Sequence, residues 1–137
     1  MGLILDSSVV IDAERRGDTV VRLIEQVVKI AGDQDAALST IGLTELVHGI
    51  YRAQTPVIRQ RRESFIKELL DDLAVYPYTK ECAMLAGRID GEQQGLGMVI
   101  PFADLLIGAT ALTLGYSVLT RNARHFQKIP GLSVIQL

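Results

Sequence analysis

The sequence predicts an α/β sandwich built around a mostly parallel sheet. Short apolar runs alternate along the chain with stretches of helical periodicity, an order typical of such sheets. The chain has 137 residues, close to one ordinary domain, and no repeat or Pro/Gly/Ser-rich linker divides it. Hydrophobic residues make up 48% and charged residues 22%, a balance that supports a folded core. We therefore expect a single domain over residues 1–137.

The predicted strands are short apolar runs bounded by polar or turn-forming residues. The first run ends at Asp6, and Ser7 and Ser8 then favour the start of a helix. Ligands bind at the carboxyl ends of parallel strands, so a residue directly after a strand is a candidate site residue. In chain order the five runs are Gly2–Leu5, Ala36–Ser39, Leu73–Tyr76, Tyr116–Thr120 and Leu132–Ile135.

Apolar residues at helical spacing predict the helices between these strands. Ser39 or Thr40 can cap one helix, Pro56 and Pro101 each open another, and Gly115 closes the last long one. The predicted spans are roughly 18–31, 40–53, 56–72, a stripe over 82–89 and 101–114, with a short turn at 122–126. The helix over 40–53 is expected to bury Leu43, Leu46, Val47 and Ile50.

Composition disfavours several classes of protein. No apolar stretch reaches the ~18–20 residues that cross a bilayer, so we expect no membrane span. The N-terminal residues lack the basic and long apolar regions of a signal peptide. Cys82 is the one cysteine, which excludes an intrachain disulfide and favours a reducing, cytoplasmic setting. The net charge of −2 means that binding of RNA or DNA would need a local basic patch.

Three acidic residues are candidates for chemistry, and each has an ordinary structural alternative. Asp6 follows the first strand, where it could instead cap a helix. Glu45 lies roughly opposite the apolar stripe of its helix, facing either a cleft or solvent. Asp104 lies in the first turn of a helix, where the helix dipole stabilises an acid. The apolar sequence that follows Asp104 indicates a buried helix, and an acid there is costly unless it is paired or holds a metal.

Together these acids predict a metal-dependent reaction. Carboxylates brought within ~4 Å of each other raise each other's pKa, and a divalent cation removes that cost. An all-oxygen ligand set favours Mg²⁺ or Mn²⁺ over zinc. An ion with few protein ligands keeps open positions for a phosphate, so the expected chemistry is hydrolysis of a phosphodiester.

A fourth candidate is the polar run that follows the strand 116–120. Asn122 lies at a carboxyl edge, where it could hydrogen-bond a water of the site. Thr120, Arg121 and Arg124 could help to hold phosphate, and the alternative is a capped turn with solvated arginines. We interpret His125 as a surface residue rather than a general base.

The candidate residues lie in four motifs that follow one another along the chain. The first carries Asp6, the second Glu45, the third Asp104, and the last Asn122 with a following Ile-Pro-Gly-Leu. The motifs lie at Leu3–Asp12, Ser39–Gly49, Ile100–Leu112 and Leu119–Phe126 with Ile129–Leu132. In this order they resemble the motifs of PIN-domain ribonucleases, and in particular those of the VapC toxins of VapBC toxin–antitoxin modules. The resemblance spans nearly the whole chain and implies a PIN-like three-layer α/β/α sandwich.

The resemblance also implies a function: an Mg²⁺-dependent endoribonuclease that acts as the toxin of such a pair. Asp6, Glu45 and Asp104 would form the acidic cluster, with Asp6 and Asp104 as metal ligands and Mn²⁺ as a possible substitute ion. A homodimer is implied, together with a VapB-like antitoxin whose C-terminal segment blocks the cleft. Asn122 stands where many PIN domains carry a fourth acid, and His125 stands where an acid is also frequent, which leaves the number of ions open.

Two alternatives stay open. The chain could be a PIN fold without catalytic activity that binds RNA or a partner protein, a possibility that the neutral Asn122 supports. The basic segment could attract RNA through its phosphates, or it could be an arm that contacts the antitoxin or a second protomer. Its members are Arg52, Arg59, Arg61, Arg62 and Lys67, with only Glu63 among them.

Overall fold

A computed structural model describes residues 1–137 and contains one five-stranded sheet in which every pairing is parallel. The strands are β1 (Gly2–Leu5), β2 (Asp35–Ser39), β3 (Ala74–Tyr76), β4 (Ser117–Thr120) and β5 (Val134–Gln136). Their order in the sheet is β3-β2-β1-β4-β5, so β1 is the central strand and β4 is one of its two neighbours. This arrangement confirms the predicted α/β class.

Seven helices connect or follow the strands, and they agree closely with the predicted spans. The helix predicted over 40–53 ends at Tyr51, and Pro101 precedes its helix as the N-cap. None of the helices is long and apolar enough to cross a membrane. They are α1 (Ser7–Arg15), α2 (Val20–Ala31), α3 (Thr40–Tyr51), α4 (Pro56–Asp72), α5 (Lys80–Gly95), α6 (Phe102–Leu114) and α7 (Ala123–Phe126).

Two apolar layers cover the two faces of the sheet. Successive residues of a strand point to opposite faces, so Leu3 and Leu5 join one layer while Ile4 joins the other. The first layer packs against α1 to α4 and the second against α5 to α7, which makes the predicted three-layer sandwich. One predicted core residue is wrong: Val47 is 39% exposed, because α3 buries the side that carries Leu46 and Ile50.

The register of the two central strands positions the candidate site. Leu5 of β1 pairs with Leu119 of β4, so both strands end at the same edge of the sheet. The backbone N–H of Asp6 donates to the carbonyl of Leu119 at 2.9 Å, which extends the pairing by one residue. Asp6 and Thr120 therefore lie side by side where α1 begins.

Close packing of α6 against the chain after α7 depends on Gly108. A Cβ atom at this position would lie 2.4 Å from Cδ1 of Ile129 and 3.3 Å from Cδ2 of Leu132. Ile129 is 2% exposed and belongs to the second apolar layer, so its side chain has little room to move. The absence of a side chain at Gly108 thus sets the distance between these two segments.

We predict that Gly108→Ala lowers the free energy of unfolding by about 1–2 kcal/mol, because overpacking outweighs the gain in helix propensity. Gly87 of α5 has no atom within 4 Å of its would-be Cβ and is the matched control. Gly87→Ala should stabilise the fold by about 0.5–1 kcal/mol. Urea denaturation of both variants measures the difference, and equal stabilisation by the two would contradict the packing argument.

Candidate active site

Asp6 is held at the edge of the sheet by hydroxyl groups. The hydroxyls of Ser8 and Thr120 both donate to Oδ2 of Asp6, at 2.6 and 2.8 Å. Asp6 occupies the N-cap position of α1, but its side chain makes no capping hydrogen bond. Asp6 is thus the helix N-cap of the structural alternative by position, but its carboxylate binds the two hydroxyls and not the helix backbone. Oδ1 of Asp6 has no protein partner, although the residue is only 3% exposed.

Glu45 reaches the same edge from α3. Ser39, the last residue of β2, caps this helix by accepting a hydrogen bond from Gly42 N at 3.0 Å, which places Glu45 on the second turn. The hydroxyl of Ser7 donates to Oε1 of Glu45 at 2.9 Å. Burial raises the pKa of Glu45, the charges of Asp6 and Asp104 raise it further, and the Ser7 hydrogen bond opposes the rise. Glu45 thus faces a cleft and is half-buried.

Asp104 approaches from the first turn of α6 and is paired with a histidine. Nδ1 of His125 lies 2.9 Å from Oδ2 of Asp104, and because an ionised carboxylate only accepts, the ring N–H donates. Burial raises the pKa of Asp104, and the charge of Asp6 adds to this, while His125 opposes it. The side chain of Asp104 is 18% exposed, so it remains open to solvent or a ligand.

The three acids lie around one edge of the sheet and affect one another through their charges. Their joint role as an active site stays a prediction. Asp6 acts on the pKa of both Glu45 and Asp104, and Asp104 acts on that of Glu45. A divalent cation fits the chemistry of this donor set, because it would offset the repulsion and the ligands are all oxygen atoms. No three acidic, histidine or cysteine side chains stand close enough to hold one ion, and each of these three acids is hydrogen-bonded to a protein neighbour.

Asn122 occupies a different position from the three acids. It is the N-cap of α7, and its backbone N–H donates to Oγ1 of Thr120 at 2.9 Å. Its side chain is exposed and makes no hydrogen bond. The contact of Asn122 with the site therefore runs through its backbone and Thr120 to Asp6, and a catalytic role of its side chain stays a prediction.

Two side chains orient the acids in a way that the sequence does not indicate. His125, interpreted from the sequence as a surface residue, is 34% exposed, and its ring is also hydrogen-bonded to Asp104. Ser7, which orients Glu45, was noted only as part of a helix start. The contacts join residues 21 and 38 positions apart, so no local pattern could have shown them.

Several cationic residues near the site are already paired with carboxylates of this chain. Arg121, a candidate phosphate ligand, lies 3.4 Å from Asp12. In the basic segment, Arg61 donates to the buried Glu14 at 3.1 Å, and Arg62 lies 3.9 Å from the same carboxylate. Since Glu14 is 5% exposed, these two arginines neutralise a charge inside the fold.

Comparison with known proteins identifies the family. The family model of the PIN domain matches residues 3–132. Ribonuclease VapC1 of Rickettsia felis is 33% identical over 140 residues, an alignment that covers 98% of this chain and 96% of that protein. The chain is a PIN domain of the VapC family.

Further relatives and solved structures agree with this assignment. Ribonuclease VapC of Rickettsia bellii is 33% identical over 136 residues, with 98% of this chain and 96% of that protein covered. This VapC-family chain shares its fold with VapBC2 of Rickettsia felis bound to a promoter DNA fragment. That structure gives a TM-score of 0.86 at 22% identity and covers 100% of this chain and 99% of the other.

We predict that Glu45→Gln and Asp104→Asn each raise the free energy of unfolding without metal by about 0.2–1 kcal/mol at pH 7–8, the range for partly exposed charge pairs. Both acids have raised pKa values in the folded state, so this state binds more protons than the unfolded chain above about pH 4. Wild-type stability therefore falls as pH rises through the window between the ordinary and the raised pKa.

Thermal melts in chelator between pH 4 and 8 measure this effect. Glu68→Gln, at an exposed site on α4, is the matched control and should follow the wild type at every pH. A destabilised Glu45→Gln variant at pH 8 would mean that the Ser7 hydrogen bond outweighs the repulsion.

Proposed function

We propose that this chain is an endoribonuclease that depends on Mg²⁺, with Mn²⁺ as a possible substitute. The observation that carries the proposal is that Asp6, Glu45 and Asp104 come from three separate elements to one edge of the sheet, where hydrogen bonds from Thr120, Ser7 and His125 orient them. Support comes from family membership, since relatives over nearly the whole chain are named ribonucleases. A Salmonella typhimurium relative, 29% identical over 97 residues, is named a tRNA(fMet)-specific endonuclease.

Asp6 and Asp104 are the residues proposed to hold the ion. Asp6 offers Oδ1, because Ser8 and Thr120 already occupy Oδ2. Asp104 offers Oδ1, because His125 occupies its Oδ2. The hydroxyls and the ring thus fix the direction in which each carboxylate presents its remaining oxygen. When bound, the ion would polarise a water and stabilise the negative charge that gathers on the phosphate.

Glu45 is proposed to take the proton from the attacking water. Ser7 holds Oε1 of Glu45, which leaves Oε2 as the acceptor atom. Burial raises the pKa of Glu45, and a carboxylate with a raised pKa is a stronger base than an ordinary glutamate. The role of Asn122 in this scheme is to fix Thr120 through its backbone, with its side chain free to contact substrate.

The proposed biological role is that of a toxin held in check by a cognate antitoxin. VapBC complexes from Rickettsia felis and Salmonella typhimurium share the fold of this chain, with TM-scores of 0.86 and 0.83. We carry over from them a VapB-like antitoxin as partner. A homodimer and a cytoplasmic setting remain predictions of the sequence.

We predict that Asp104→Asn reduces RNA cleavage by at least about 100-fold, since loss of a pre-positioned charged group typically costs two or more orders of magnitude. The purified chain, free of antitoxin, is incubated with a mixed RNA pool in Mg²⁺, in Mn²⁺ and in chelator. Asp71→Asn, on the exposed side of α4, is the control and should cleave like the wild type. If a folded Asp104→Asn protein still cleaved RNA, the assignment of Asp104 to the active site would be wrong.

We also predict that Mg²⁺ raises the melting temperature of the wild type but not of Asp104→Asn. When the free Mg²⁺ concentration is ten times the dissociation constant, binding of Mg²⁺ to the folded state adds about 1.4 kcal/mol to the free energy of unfolding. Differential scanning fluorimetry over a Mg²⁺ titration measures the shift. A wild type that neither melts later in Mg²⁺ nor cleaves any RNA would favour the inactive binding module.

A further inference from the structure

A groove between α1 and α3 leads away from the candidate site. Both helices begin at the carboxyl edge of the sheet, so both run from it in the same general direction. The hydrogen bond from Ser7 to Glu45 joins them at the site end. The groove has a volume of about 670 Å³, and Arg15 and Arg52 line it together with Ser7 and Glu45.

Helical spacing explains why one end of the groove is acidic and the other basic. On α3, Glu45, His48 and Arg52 are three and four residues apart and therefore share one face. At 1.5 Å per residue, Arg52 is about 10 Å beyond Glu45 along the helix. On α1, Arg15 is about 12 Å beyond Ser7 by the same measure. The two arginines thus lie at the far end of the groove on opposite walls.

These two cations are uncompensated within the chain. Arg15 and Arg52 are exposed, and neither forms a salt bridge with any carboxylate. Arg62, which also lines the groove, is fixed by its hydrogen bond to the carbonyl of Gly49 at 2.8 Å. Beyond Gln54 the surface continues into a second polar depression lined by Arg59 and Lys67.

We propose that this groove binds the phosphates of single-stranded RNA on one side of the scissile bond, with Arg15 and Arg52 as the contacts. The inference rests on the proposed function, because it requires an RNA strand at the carboxylates. An RNA strand with a phosphodiester beside the three acids is repelled by their negative charge. Cations further along the same groove offset that repulsion by attracting the neighbouring phosphates. Because the net charge of the chain is −2, the protein as a whole does not attract RNA, and local cations such as Arg15 and Arg52 must do so.

RNA is favoured over a protein segment as the occupant by the position of the charges. The cations line an open groove whose other end is formed by Ser7 and Glu45, so a chain with regularly spaced negative charges fits its length. Because Arg52 lies about 10 Å beyond Glu45 along α3, and Arg15 about 12 Å beyond Ser7 along α1, they are placed to bind flanking phosphates rather than the reacting one. Their loss should therefore raise KM and leave kcat nearly unchanged.

The test compares two double variants of equal charge change in the Asp104→Asn background, which is expected to bind RNA without cutting it. Arg15→Gln/Arg52→Gln removes the groove cations. Arg22→Gln/Lys29→Gln removes two exposed cations of α2 and is the control. Fluorescence anisotropy measures binding of a labelled, unstructured 12-nucleotide RNA at several NaCl concentrations. The groove variant should bind the RNA about tenfold more weakly at low salt. The slope of log binding constant against log NaCl concentration should become shallower by about 1.4, which is about 0.7 for each of the two lost phosphate contacts.

Cleavage kinetics in the otherwise wild-type chain separate this proposal from the function on which it rests. A groove variant with KM raised about tenfold, kcat within twofold and an unaltered control supports the proposal. A wild type that cleaves RNA while the groove variant binds and cleaves like the control overturns the groove proposal alone. Unaltered RNA binding with lost binding of the antitoxin would also overturn it and assign the groove to the protein partner. A wild type that neither binds nor cleaves RNA overturns the proposed function as well.

Discussion

The parallel register between β1 and β4 is the constraint on which the rest of the site depends. Because Leu5 pairs with Leu119, the two strands end together and Asp6 meets the hydroxyl of Thr120. Helix α1 begins at the same edge, directly after β1. Its first residues therefore reach the acids: Ser7 donates a hydrogen bond to Glu45, and Ser8 donates one to Asp6. A shift of this register by one residue would exchange the two apolar layers and separate these groups at once.

The site concentrates negative charge that the fold itself does not need. Burial and mutual repulsion raise the pKa values of Glu45 and Asp104, so both carboxylates are less stable as anions here than in water. The fold limits that cost with single hydrogen bonds, from Ser7 to Glu45 and from His125 to Asp104. This is the pattern of a site that trades stability for function, and a bound cation would relieve it.

Charge elsewhere in the chain is arranged in two distinct ways. Arg61 and Arg62 pair with the buried Glu14 and so link α4 to α1. Arg15 and Arg52 stay exposed on the groove that leads to the carboxylates. Arginines that look alike in the sequence are therefore divided between an ion pair with a buried carboxylate and a surface open to a polyanion. The division follows from which helix face each residue occupies.

The sequence alone determined the element order and the α/β class, and it singled out the three acids as candidates, because period-2 and period-3.6 patterns, caps and strand ends are local features. Four weak motifs in order also identified the family. Only the tertiary structure decided what each acid touches: His125 on Asp104, Ser7 on Glu45, and the unbonded side chain of Asn122. It also showed that Val47 is exposed. These facts depend on packing between elements that are distant in the chain, and the spacing of residues along a helix or strand does not encode such contacts.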